Sequence, residues 1–198
     1  MQIPDLDYLG AFSIYRAMQD ILRPPVPFWW AGGSLIAKLR GADTPDNPWN
    51  VADCDIAVRD VDYTAMCEHL RSKFSAAVCL SESAGDGATM PSRIGQGPSS
   101  VWKVMVGLPK LDIMALPTAL RLDPFDPFAG PAAPVDVWID MMDLNVCQVV
   151  VGPGVDGICL HTDGSTLRDI AAGRVEILRH HPTTEARAEK YRRRLGGV

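Results

Sequence analysis

The 198-residue sequence predicts an α+β domain in which a mixed β-sheet is packed with helices. Three observations predict it. Short β-prone runs alternate along the chain with segments of helical periodicity. Apolar residues make up 47% of the chain and charged residues 22%, enough to bury a sizeable core at this length. Proline- and glycine-rich stretches separate the runs, and no internal repeat is visible.

Leu6, Leu9, Phe12, Ile14, Tyr15, Met18, Ile21 and Leu22 recur at roughly helical spacing over residues 5–22. Arg23-Pro24-Pro25 ends that helix, because a proline pushes the residue before it out of helical conformation. Residues 26–32 (VPFWWAG) form a short aromatic β-prone run, residues 33–41 two helical turns closed by Gly41, and residues 43–50 (DTPDNPWN) a turn-rich loop. A strand follows at 54–58 (CDIAV), a helix at 61–74 and a strand at 76–82. Residues 83–100 have the composition of a loop. The runs 101–107 (VWKVMVG) and 110–116 (KLDIMAL), joined by Leu-Pro, read as a strand pair. A second loop occupies 124–134, a short helix 135–142, a strand 144–151 (LNVCQVVV) and another 156–162. Helices at 165–173 and 183–195 finish the chain.

The charge is unevenly distributed. Residues 179–198 hold six Lys/Arg against two Glu, a local +4, so the first 178 residues carry −9 of the net −5. This divides the chain into a core at 1–178 and a basic C-terminal helix at 179–198. An acidic body is poorly suited to gripping long duplex DNA and suits a metal–carboxylate site with a local basic tail. The five cysteines (Cys54, Cys67, Cys79, Cys147, Cys159) are widely spaced without a C-x-x-C pair, which favours reduced core thiols over a zinc site. Apolar runs such as Val146–Val151 are far too short for a bilayer span, and residues 1–10 lack the basic and apolar regions of a leader. The expectation is a cytoplasmic protein without a membrane partner.

The chemistry concentrates in residues 31–58, AGGSLIAKLRGADTPDNPWNVADCDIAV. Asp53 and Asp55 stand at i and i+2 on a strand and so share a face, while Cys54, Ile56 and Val58 take the other. Two ionised carboxylates side by side repel unless a cation lies between them. Magnesium, which takes a few carboxylates together with phosphate oxygens and water, fits that place, and manganese is the alternative. Gly32-Gly33-Ser34 opens a helix just before, where backbone N–H groups, the positive helix end and a hydroxyl can meet a phosphate.

These residues resemble the nucleotidyltransferases of the DNA-polymerase-beta and poly(A)-polymerase superfamily. Members open a helix with Gly-Gly or Gly-Ser, place Asp-x-Asp between apolar residues on the next strand, and add a third carboxylate from a later strand. AGGSLIAKLRG and ADCDIAV match the first two parts, and KLDIMAL offers Asp112 as the third. The segment at Asp143 (MMDLNVCQVVV) is similar to the one that follows the core in tRNA-nucleotidyltransferase-type members, which makes Asp143 a nucleotide contact or a structural one. The closing ARAEKYRRRLGG is similar to the ends of some small relatives. The resemblance covers roughly residues 28–151. The large RNA-gripping domains of the poly(A)- and CCA-adding enzymes have no counterpart in it.

The resemblance implies a polymerase-beta-like core. It also implies transfer of a nucleoside monophosphate from a nucleoside triphosphate to a hydroxyl, at an RNA or tRNA 3′ end. Asp53, Asp55 and Asp112 would hold two magnesium ions, and Gly32, Gly33 and Ser34 the β- and γ-phosphates. Lys103, on the strand beside Asp112, is either a phosphate contact or a solvent-facing lysine. Lys38 and Arg40 read as helix-surface charges, Trp29 and Trp30 as core, and His180 and His181 as a solvated pair. Asp136 and Asp140 lie on a helix surface and compete less well than Asp112 for the third carboxylate. Arg187, Lys190, Arg193 and Arg194 are three or four residues apart on the last helix, a basic stripe able to meet RNA phosphates, while Ala188 and Tyr191 pack inward. A small-molecule or protein hydroxyl as acceptor, and a non-catalytic nucleotide-binding protein, are the competing readings. Nucleotide, acceptor and oligomeric state stay open at this level.

Overall fold

A computed structural model describes residues 5–42, 53–73, 78–84, 100–105, 110–116, 134–180 and 182–196, with backbone alone at 53, 60, 78–84, 100–105, 110, 134 and 137. In chain order the elements are α1 (Tyr8–Leu22), β1 (Trp29–Ala31), α2 (Gly32–Leu39), β2 (Asp53–Arg59), α3 (Asp60–Lys73), β3 (Val78–Ala84), β4 (Ser100–Met105), β5 (Lys110–Leu116), α4 (Pro134–Met141), a 3-10 turn (Asn145–Cys147), β6 (Val150–Gly154), β7 (Gly157–His161), α5 (Gly164–Ala172) and α6 (Thr184–Leu195). The expected loops at 43–50, 83–99 and 124–133 lie outside the described residues, as does His181.

The sheet has seven strands in the order β3-β4-β5-β2-β1-β6-β7. β2 and β5 run parallel, and the other neighbouring pairs are antiparallel, so the sheet is mixed as the sequence predicts. The run KLDIMAL is nearly continuous in apolar residues because its strand is central: every residue from Leu111 to Leu116 is buried, which covers both faces. α2 and α3 pack on β2, α3 and α4 on β5, and α1 on α2 and β6.

Helix ends follow their capping chemistry. Asp7 accepts from the Gly10 N–H at 2.8 Å, and this bond first, then Lys38, holds its carboxyl below the ordinary value. α1 stops at Arg23, whose φ of 43° precedes the two prolines. Asp163 caps α5 by accepting from the Ser165 and Thr166 N–H groups at 2.9 and 2.8 Å. The indole-rich β1 is buried throughout, as expected for Trp29 and Trp30.

Two expectations are corrected. The strand expected over 144–151 is interrupted, because Asn145 turns inward. Its side chain donates to Asp169 Oδ2 at 2.8 Å and accepts from the Glu176 N–H at 2.8 Å, so the chain makes a 3-10 turn before β6 begins. Lys38 and Arg40 are not simple surface charges. Lys38 pairs with Asp7 at 3.2 Å, and Arg40 Nη1 donates to the Ala171 carbonyl at 2.8 Å and Nη2 to the Leu195 carbonyl at 3.4 Å, bracing α2 against the ends of α5 and α6. Cys54, Cys67 and Cys147 are buried cysteines outside any disulfide, and Cys159 is a half-buried one.

Candidate active site

The middle strands of the sheet gather the residues singled out above, on a carboxylate edge beside the start of α2. β1 runs antiparallel to β2 and brings Ala31, where α2 begins, opposite Asp55. β5 runs parallel to β2 and sets Asp112 opposite Asp55. β4 sets Lys103 opposite Asp112. Residues directly opposite each other in a sheet share a face, so Asp55 and Asp112 meet on one face at the mouth of α2. Asp53 lies two residues before Asp55, opposite Lys110. The side chains of Asp53 and Lys103 lie outside the described residues.

Asp112 is buried and Asp55 half-buried. Gly32 brings the two halves of the site together. Its φ of +78° is a conformation L side chains rarely adopt, and a Cβ built there would overlap Asp55 Oδ2 and lie 2.9 Å from Asp55 Cγ. The glycine therefore does two things: it makes the sharp strand-to-helix turn, and it leaves room for a carboxylate against the helix start. α2 has no acidic residue in its first turn, and its N-cap, Ala31, has no side-chain acceptor, unlike Asp7 and Asp163 on α1 and α5. Ser34 Oγ accepts from Trp30 Nε1 at 2.8 Å and keeps its own O–H to donate. Trp30 is thus a core residue that also orients the Ser34 hydroxyl.

Carboxylate oxygens beside a helix N-terminus are a hard donor set that fits magnesium or manganese with a phosphate. No group of three or more metal-type ligands forms among the described residues, a set that excludes the Asp53 side chain.

The remaining candidates separate. Asp143 is buried, and Arg187 Nη1 lies 2.8 Å from its Oδ1 while the Thr184 hydroxyl donates to its Oδ2 at 3.0 Å. Those contacts favour the structural role for Asp143: it ties the start of α6 to the segment before β6. Asp140 pairs with Arg179 at 3.2 Å and Asp136 is exposed, so neither stands at the carboxylate edge. His180 is exposed, 3.8 Å from Glu185.

The basic stripe is corrected by α6 itself. Thr184, Ala188, Tyr191 and Leu195 are its buried face. Arg187 turns inward to Asp143 and Arg194 is half-buried, leaving Lys190 and Arg193 exposed, with Arg193 3.5 Å from Glu189. Burial alone would lower the Arg187 pKa, but Cys147 and then Asp143 outweigh it and raise it. Tyr191 is held well above the ordinary tyrosine range by burial first and Cys147 next, with Asp55 contributing in the same sense. Burial likewise pushes the Cys147 thiol up to about 11. A buried polar cluster, Asp143–Arg187–Cys147–Tyr191, thus runs from the α6 anchor toward Asp55. Sequence periodicity placed Tyr191 inward but carried no sign of what it meets.

No family model and no curated protein matches the chain. Solved structures do match by fold. A CCA-adding enzyme in its apo form aligns at a TM-score of 0.53 with 16% identity, over 100% of this chain and 45% of that one. A CCA-adding enzyme in complex with ATP aligns at 0.52 with 15% identity, over 99% and 42%. The Thermotoga maritima CCA-adding enzyme complexed with tRNA aligns at 0.47 with 13% identity, over 88% and 34%. The chain spans less than half the length of each. The first two show that it shares an α+β fold with CCA-adding enzymes. Among the described residues no helix is long and apolar enough to cross a membrane.

Proposed function

We propose that the protein is a metal-dependent nucleotidyltransferase that moves a nucleoside monophosphate from a nucleoside triphosphate to a hydroxyl, with an RNA 3′ end, tRNA foremost, as acceptor. The observation that carries this reading is the register of Asp55 with Asp112, set against the glycine turn that opens α2. Asp53, Asp55 and Asp112 would hold two magnesium or manganese ions. When bound, such ions lower the pKa of the attacking hydroxyl and offset charge on departing pyrophosphate. The chain's own residues do the positioning. Gly32 and Gly33 offer the positive end of α2 to the β- and γ-phosphates, Ser34 donates its hydroxyl, and Lys103 stands on the strand beside Asp112 as a further cation. The acceptor oxygen bonds to the α-phosphorus as the bond to the β-phosphate oxygen breaks, the hydroxyl proton passing to water and pyrophosphate leaving.

The CCA-adding fold and the exposed cations Lys190 and Arg193 support RNA as acceptor. One observation favours the second reading, a small-molecule or protein hydroxyl: Arg187 pairs with the buried Asp143 and Arg194 is half-buried, which thins the basic stripe. The test incubates the protein with each α-labelled nucleoside triphosphate, magnesium and total RNA, resolving the products on a gel. Label in an RNA band, lost in Asp55→Asn and Asp112→Asn, is the expected result. Label only in protein or small products would select the second reading, and no transfer with any triphosphate would refute the reaction.

A further inference from the structure

The C-terminal helix reaches the glycines at which α2 begins. A Cβ placed on Gly33 would lie 3.4 Å from Tyr191 Oη and 3.8 Å from Arg194 Nη1. Tyr191 and Arg194 are one turn apart and share a face of α6. That helix is fixed at its start by Thr184 and Arg187 on Asp143, and at its end by Arg40 on the Leu195 carbonyl. Arg194 is therefore held at the mouth of α2 by contacts on both sides, while its neighbours Arg192 and Arg193 are exposed.

We propose that Arg194 binds the outer phosphates of the nucleoside triphosphate at Gly32–Ser34, so that α6 is a wall of the nucleotide site and not an appended RNA-binding helix. The inference rests on the reading of the carboxylate edge as a nucleotidyltransferase centre. A helix N-terminus supplies only about half a unit of positive charge, well short of the charge on the β- and γ-phosphates. A guanidinium answers that deficit and matches two phosphate oxygens with its planar fork. Gly32 faces Asp55, which marks the reacting end of the site, whereas Gly33, one residue along, faces Arg194. That order sets the arginine at the β- and γ-phosphates and away from the α-phosphate. Tyr191, buried beside Cys147, lies against the same glycine and adds no charge there.

The test compares binding of magnesium-ATP and of AMP, by titration calorimetry, to the wild type and to Arg194→Gln, Arg194→Lys, Arg192→Gln and Asp55→Asn. Arg194→Gln is expected to weaken magnesium-ATP about ten- to a hundredfold, the worth of a charged hydrogen-bonding partner, and to leave AMP and the melting temperature unchanged. Arg194→Lys, which keeps the charge and loses the fork, should show a smaller loss confined to ATP, and it decides the matter if the glutamine variant does not fold. Arg192→Gln, equal in charge removed, should bind as wild type. Unchanged magnesium-ATP binding in Arg194→Gln beside lost binding in Asp55→Asn would overturn the role of Arg194 and leave the nucleotide site standing. Equal losses for ATP and AMP would also overturn it. A wild type that binds no magnesium-ATP would bring down both readings.

Discussion

Gly32→Ala tests whether the glycine turn and the carboxylate edge are one device. Two costs are expected. The left-handed backbone, φ +78°, costs a non-glycine residue about 1–3 kcal/mol. The new methyl also overlaps Asp55 Oδ2 and cannot be relieved without turning the carboxylate away from the helix start. Gly41 separates these costs, because it has nearly the same φ, +62°, with nothing within 4 Å of an added Cβ. Both alanine variants should thus lose about 1–3 kcal/mol in urea unfolding, which a domain with the usual 5–15 kcal/mol survives. Only Gly32→Ala should lose function. A displacement of about 1 Å at a catalytic group costs about a hundredfold in rate, and magnesium-ATP binding should fall with it. Calorimetry and single-turnover transfer on the two folded variants are the assays. If folded Gly32→Ala binds magnesium-ATP and transfers like the wild type and Gly41→Ala, the argument that Gly32 makes room for Asp55 is refuted.

Asp143→Ala should leave the half-buried Arg187 without its carboxylate and the Thr184 hydroxyl without its acceptor, costing about 1–3 kcal/mol in urea unfolding. The double change Asp143→Leu with Arg187→Met should recover most of that, and an unaffected single variant would remove the anchor assigned to α6. Asp163→Ala should cost about 1 kcal/mol at neutral pH through loss of the α5 cap. Bonds from the Thr166 N–H, then from the Ser165 hydroxyl, hold the Asp163 carboxyl below its ordinary 3.8. Its contribution is therefore full above about pH 4 and is lost as the pH falls through the lowered value, so the gap between wild type and variant should close in acid. A gap that did not narrow as the pH falls below about 4 would contradict the capping account.

The succession of elements was legible because its signals are local. Helical spacing over residues 5–22, the prolines at 24 and 25, and the apolar runs around Asp53 and Asp112 all act within a few residues of where they are read. The parallel register that sets Asp112 opposite Asp55 was not legible, since a strand's pattern fixes its faces but not its partner. Arg40 and Asn145 were misread for the same reason. Arg40 bonds carbonyls 131 and 155 residues away, and Asn145 bonds groups 24 to 31 residues away. On α6, spacing grouped four cations into one stripe, yet a helix of this sequence can be rotated until Arg187 or Lys190 faces inward. The buried Asp143, 44 positions before Arg187, draws that arginine inward, and the same rotation of α6 brings Arg194 to Gly33.

The carboxylate edge can be tested most directly by crystallography with manganese. Crystals soaked in manganese and a non-hydrolysable nucleoside triphosphate, with data collected at the manganese absorption edge, should show anomalous density within about 2.2 Å of carboxylate oxygens of Asp55 and Asp112. The phosphates should lie over Gly32, Gly33 and Ser34. Manganese bound elsewhere, or an empty carboxylate edge at saturating metal and nucleotide, would contradict the account.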